Sequence, residues 1–198
     1  MTPSTRATRE RILAGAGRAF ARLGIRGTSV RDILEEAEVS RRTFYQYFSG
    51  QEAVLLALYE QEMDDMLQTV VSALDVPDDQ RLDSAVGAYL GFHQRRGRLL
   101  TLLMSDAMTA DSPLRPHRER VLIRLEDVLG QITEQERGYR LDPHMYRALT
   151  SGLTVAVLGA KRDGVLSDAD AQRLSAVIQA MIAQVLTAGD HHPAVIQR

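Results

Sequence analysis

Ser29-Val30-Arg31-Asp32-Ile33-Leu34-Glu35-Glu36-Ala37-Glu38-Val39-Ser40-Arg41-Arg42-Thr43-Phe44-Tyr45-Gln46-Tyr47-Phe48 is the stretch that decides the fold. Val30, Ile33, Leu34 and Ala37 recur at i, i+3, i+4 and i+7, the spacing of a short amphipathic helix. Thr28 stands before it as an N-cap. After a break at Glu38-Val39, Ser40 can cap a second short helix with Phe44 and Phe48 on its inner side. Arg41, Arg42, Thr43, Tyr45, Gln46 and Tyr47 are left for the outside or the rim. Upstream, Ile12, Leu13, Ala16, Phe20 and Leu23 share one helical face, closed by Gly24. Three helices whose last two are short and joined by a tight turn form a helix-turn-helix unit.

Working outward, the periodicity stays helical. Ser49-Gly50-Gln51-Glu52 reads as a capping box, Ser at the N-cap and Glu at N3. The helix it opens carries Leu55, Tyr59, Met63, Met66, Val70 and Leu74 and stops at Pro77. Further helices are expected over 80–96, 98–109, 113–136, 143–162 and 168–188, punctuated by Gly97, Pro113, Gly138, Asp142-Pro143 and Asp163-Gly164. Asp142 can cap one with Pro143 at its first position, and Ser167 can cap the last. No strand alternation stands out. The expectation is all-α, about nine helices: a helix-turn-helix domain over 6–66 with its motif at 29–48, a C-terminal bundle over 67–188, and a loose tail over 189–198.

Composition narrows the function. There is no cysteine, which excludes disulfides, thiolate metal sites and a cysteine nucleophile. No signal peptide or membrane-spanning stretch is recognisable, so the cytoplasm is the expected location. The net charge of −2 conceals an asymmetry: residues 1–50 hold nine Arg against five acids, net +4, and the rest is net −6. A basic head on an acidic body fits a polyanion met by the head alone, although a solvated charged surface gives the same count. Phosphate loops, HExxH, GxSxG and paired catalytic carboxylates are all missing, which speaks against an enzyme and leaves no cofactor or metal to expect.

The outer face of Ser40–Phe48 has chemistry suited to the major groove. Arg can contact guanine, Gln adenine, and the Thr methyl thymine. Tyr and Thr hydroxyls and helix N-termini serve phosphates. The run from Thr8 to Glu60, most specifically Phe20–Thr28, Ser29–Ile33 and Val39–Phe48, resembles the N-terminal domain of the tetracycline-repressor (TetR) family. The likeness covers about residues 6–66. It implies a homodimer with two recognition helices on an operator in double-stranded DNA. It also implies a variable C-terminal domain for a small-molecule effector, and usually repression relieved by that effector. An activator, an effector-independent DNA binder, or a helical interaction module without DNA remain alternatives.

On this reading Thr28, Ser29, Tyr45, Tyr47 and Gln51 position the DNA backbone, Ser40 adds a helix N-terminus, and Arg41, Arg42, Thr43 and Gln46 read bases. Packing against the first helix is the alternative for each Tyr. Two residues depart from the family pattern: Glu38 stands where Gly is frequent, and Gln51 where Lys is common. In the C-terminal part, Tyr89, Phe92, His93, Met104, Met108 and Tyr146 are candidates for an effector pocket; plain core is the alternative. Leu153, Val157, Leu174, Ile178, Met181 and Val185, on the last two helices, are candidates for the dimer interface that the resemblance implies; an internal core is the alternative.

Overall fold

A computed structural model describes residues 3–191 and 196–197. Among the described residues eight helices follow in order: α1 (Pro3–Leu23), α2 (Val30–Ala37), α3 (Arg41–Tyr45), α4 (Gln51–Ser72), α5 (Asp78–Asp106), α6 (Arg115–Arg137), α7 (Pro143–Ala160) and α8 (Asp168–His191). The expected break at Gly97 falls inside α5, where φ 55° and ψ −136° leave the helical region. A side chain is strongly disfavoured in that conformation, so glycine is the residue that permits it. Two short strands, β1 (Arg140–Leu141) and β2 (Ile196–Gln197), pair antiparallel. Both were missed, because two residues carry no alternation to read. Within the expected loose tail over 189–198, α8 continues to His191 and Ile196–Gln197 are paired. Residues 192–195 and 198 of that tail lie outside the described residues.

The chain forms two compact units. The first joins Met1–Met63 with Arg98–His117, and the second joins Asp64–Gly97 with Arg118–Arg198. Sequence periodicity ended the first domain near residue 66 and could not foresee that 98–117 would return to it. Within the first unit, Leu100, Leu103, Met104, Ala107 and Leu114 are buried. Arg26 pairs with Asp111 at 3.3 Å, and His117 Nδ1 lies 2.8 Å from Glu60.

The first unit is built around Ile12, Leu13, Ala16, Phe20, Ile33, Phe44, Val54 and Leu58, all buried. α1 and α2 meet at one point of very close approach: a Cβ on Gly15 would stand 2.6 Å from the backbone nitrogen of Ala37. Arg18 and Arg22 of α1 grip Glu36 of α2, at 3.2 and 3.1 Å, and the Arg18 guanidinium also donates to the Glu36 carbonyl. These two arginines, Arg18 first, hold the Glu36 carboxyl below its ordinary range.

In the second unit, α7 starts as its sequence prescribes. Asp142 accepts from His144 N–H at 2.8 Å, and Pro143 takes a first-turn position. Arg147 ties α7 to α6 through Glu119 and Glu126. Arg162 and Val165 exchange both backbone hydrogen bonds around Asp163-Gly164, whose φ values are both positive, before Ser167 caps α8 by accepting from Asp170 N–H at 3.1 Å.

Candidate nucleic-acid interface and apolar cavity

The helix-turn-helix is held by caps at each joint. Ser29, not Thr28, is the N-cap of α2: Ser29 N–H donates to Asp32 Oδ2 at 2.7 Å, and Asp32 N–H donates to Ser29 Oγ at 3.4 Å. The Ser29 hydroxyl and N–H keep the Asp32 carboxyl below its usual range. Glu38 ends α2 in the left-handed region, φ 51° and ψ 47°, with its N–H on the Glu35 and Leu34 carbonyls. The turn therefore has the geometry that favours glycine, and a glutamate occupies it at a cost of about 1–2 kcal/mol. Ser40 then caps α3, accepting from Thr43 N–H at 3.0 Å.

This architecture sorts the ten expected DNA contacts. Arg41, Arg42, Tyr45 and Gln46 are exposed on α3 and its end, and none is engaged by another polar side chain. Phe44 and Phe48 anchor the other side, and Tyr45 meets Phe44 edge-on with ring centroids 5.3 Å apart. Tyr47 is half-buried. The side chains of the other five are engaged within the unit. Thr28 is buried, and its hydroxyl donates to the Gly24 carbonyl at 2.7 Å. The Ser29 hydroxyl is committed to Asp32, and the hydroxyls of Ser40 and Thr43 lie 2.9 Å apart. Gln51 donates its side-chain amide to the Ile25 carbonyl at 2.8 Å, stitching the start of α4 to the loop after α1. No Ser49–Glu52 capping box forms. Gly50 fills the cap position and accepts from Val54 N–H at 3.3 Å.

Two supports were missed by sequence reasoning. The guanidinium of Arg9 lies 5.5 Å from the Phe48 ring centroid, a cation–π contact that steadies the end of the α3 segment. The other is Gly15. Its signal was present in the run Ala14-Gly15-Ala16-Gly17, where small residues on a helix allow a neighbour close in.

The second unit contains a cavity of about 210 Å³. Its walls come from α5, α6, α7 and α8, with Val70 of α4. Tyr89 is the one expected pocket residue that lines it. His93 stacks edge-on against Tyr89, centroids 4.6 Å apart, without reaching the lining. Phe92 is buried under the guanidinium of Arg96, 5.2 Å from its centroid. Met104 belongs to the core of the first unit, and Met108 is exposed there. Tyr146 is structural: its hydroxyl pairs with Thr133 and accepts from Leu141 N–H at 2.8 Å. Met and aromatic residues at helical spacing fill core and cavity alike, so periodicity could not separate them.

The expected interface residues also divide. Val157 and Ile178 are buried inside the unit, Leu153, Leu174 and Val185 are half-buried, and Met181 is exposed. Val155 and Val177 join Met181 on the outside, interleaved with exposed Gly152, Ala156, Gly159 and Ala180. Among the described residues no helix is long and apolar enough to cross a membrane.

Comparison with known proteins bears on this geometry. Residues 12–58 match the family model of bacterial regulatory proteins, tetR family. The HTH-type transcriptional activator FasR of Mycolicibacterium smegmatis is 23% identical over 171 residues, 85% of this chain and 77% of that protein. The HTH-type transcriptional repressor SCO4008 of Streptomyces coelicolor is 29% identical over 138 residues, 69% of each. The fatty acid degradation regulator FadR of Bacillus halodurans has the same fold, with a TM-score of 0.70 at 20% identity, across 97% of this chain and 98% of that one.

Proposed function

We propose that this chain, a DNA-binding transcriptional regulator of the tetR family, acts as a homodimeric repressor released from its operator by a small molecule in the cytoplasm. The observation that carries the reading is the outer face of α3. Arg41, Arg42, Tyr45 and Gln46 stand exposed and uncommitted on a segment fixed by buried Phe44 and Phe48. Uncommitted arginines beside amide and phenol groups are what base edges and phosphates require. Thr28, Ser29 and Gln51 have internal duties, and the grip falls to the four exposed residues with Tyr47.

The exposed stripe of Gly152, Val155, Ala156 and Gly159 on α7 and Val177, Ala180 and Met181 on α8 supports the dimer. Small residues let helices approach, and the larger apolar ones would otherwise stay in water. Two recognition helices must meet major grooves about 34–36 Å apart, and an effector with higher affinity for a mismatched state shifts the population away from DNA. The cavity of the second unit is the place for that effector.

The test is a mobility shift on the DNA upstream of the chain's own coding sequence, run across a salt series. Binding that weakens steeply with salt supports the reading, and no binding at low salt overturns it. The sign of control has a second reading, activation, because FasR, one of the curated relatives, is an activator. A promoter reporter that loses output on deletion of the protein would favour activation; one that gains output favours repression.

A further inference from the structure

We propose that Arg9 of α1 is a DNA-phosphate contact, held at the end of the α3 segment by the ring of Phe48. The proposal rests on the DNA-binding reading above and adds a residue that lies outside the helix-turn-helix itself.

Charge pairing singles Arg9 out. Residues 1–50 hold nine arginines. Five of them pair with an acid: Arg6 with Glu10, Arg18 and Arg22 with Glu36, Arg26 with Asp111, and Arg31 with Glu35. A paired guanidinium brings little net charge to a polyanion. Among the described residues, Arg9, Arg11, Arg41 and Arg42 have no acid partner. Arg41 and Arg42 already stand on the outer face of α3. Arg9 and Arg11 are two residues apart on α1, about 200° around the helix, so they leave it on opposite sides. Arg9 shares the side of buried Ile12, Leu13 and Ala16, and Arg11 is exposed.

The contact with Phe48 fixes where the Arg9 charge stands. The guanidinium lies 5.5 Å from the ring centroid, and that ring is itself 6.0 Å from the ring of Phe44. Arg9 therefore stands beside Tyr47 and the start of α4, at the opposite end of the segment from Arg41 and Arg42. That end has no cation of its own. No arginine or lysine occurs in the sequence between Arg42 and Arg81, and the first turn of α4 carries Glu52. Gln51 spends its amide on the Ile25 carbonyl. Screening at physiological salt limits a surface charge to a reach of about 8 Å, so only a cation brought there by the fold can serve phosphates at this end. An aromatic ring claims none of the five guanidinium N–H donors, which stay open to phosphate oxygens.

The test is the salt dependence of binding to the DNA upstream of the coding sequence, measured by fluorescence anisotropy on the full-length protein. The plot of log affinity against log salt should be shallower for Arg9→Met by about 0.9 per copy of Arg9, or about 1.8 for a dimer. Between about 50 and 200 mM salt the parent should then lose about twelvefold more affinity than the variant. Methionine keeps an apolar chain and a sulfur against Phe48, so the thermal midpoint without DNA should stay at the parent's value. Arg9→Lys should restore the parent slope, and Arg11→Met should keep it. The slope does not depend on the fraction of active protein, so partial misfolding of a variant does not blur it. A parent slope retained by Arg9→Met overturns the proposal and leaves the DNA-binding reading standing. So does an equal change in Arg11→Met, which marks general charge, or a failure of Arg9→Lys to restore the slope, which marks a purely structural arginine. A parent that binds no duplex at low salt removes both.

Discussion

The two units leave polar groups unpaired in opposite places. On the first, Arg41, Arg42 and Gln46 are uncommitted and face solvent. In the second, both His93 ring nitrogens are uncommitted and sealed from solvent. Water satisfies the first set at no cost, so those residues can wait for a highly charged partner. The second set has no water to lean on, and a buried unpaired group costs about 1–3 kcal/mol. An outside site can therefore be assembled from strong charges on a firm scaffold. An inside site must be assembled from neutral groups and tolerates few of them.

The sharpest way to break the contrast is to remove the scaffold beneath the outer site. Gly15→Ala places a methyl against Ala37 and should destabilise the first unit by about 3 kcal/mol in chemical denaturation, as overpacking does. DNA binding should fall with it, because the α1–α2 seam carries α3. Gly17→Ala is a milder control, since its Cβ would meet only the end of the Leu99 side chain, at 3.1 Å.

The inner site is probed by pH. The unfolded chain protonates His93 near its ordinary value of 6.5, whereas the folded chain resists until about 3. Between those limits the unfolded state binds the extra proton, so stability falls as pH falls, by about 1 kcal/mol per pH unit. Urea unfolding at pH 6.5 and pH 5 should show that loss, and His93→Leu should flatten it. Equal slopes in both proteins would mean that His93 pairs with something in solution.

The outer site is sharpened by Arg42→Ala. A loss of about 1–3 kcal/mol in DNA affinity confined to one operator position marks a base contact; a uniform loss with a shallower salt dependence marks a phosphate contact. The smallest effect belongs to Glu38→Gly. Relief of the left-handed backbone, less the added freedom of glycine in the unfolded chain, should stabilise the domain by about 0.5–1 kcal/mol. Loss of a negative charge beside the groove should also raise DNA affinity at low salt. An unchanged thermal midpoint would refute the strain.

Local features of this fold were legible because their causes lie within a few residues. Val30, Ile33 and Ala37 announce α2, Asp142-Pro143 announces α7, and Gly97 announces the break in α5. Even the misplaced cap was readable: Asp32 stands three residues after Ser29, the spacing of a capping box, and not three after Thr28. What escaped depends on contacts distant in sequence. Nothing near Arg98–His117 signals its return to the first unit, and nothing near Gln51 signals that the Ile25 carbonyl will claim its amide. Periodicity could not sort the pocket candidates either: Tyr89 lines the cavity, while Met104 and Tyr146 are buried elsewhere.

The rim of the cavity has a kinetic meaning. Gly152, Ala156, Val177 and Met181 belong both to its lining and to the exposed stripe on α7 and α8. A partner helix seated on that stripe would close the rim, and a bound molecule could then leave no faster than the seam opens. Residence time would be governed by subunit separation, and a weakly held compound could still act as a long-lived signal.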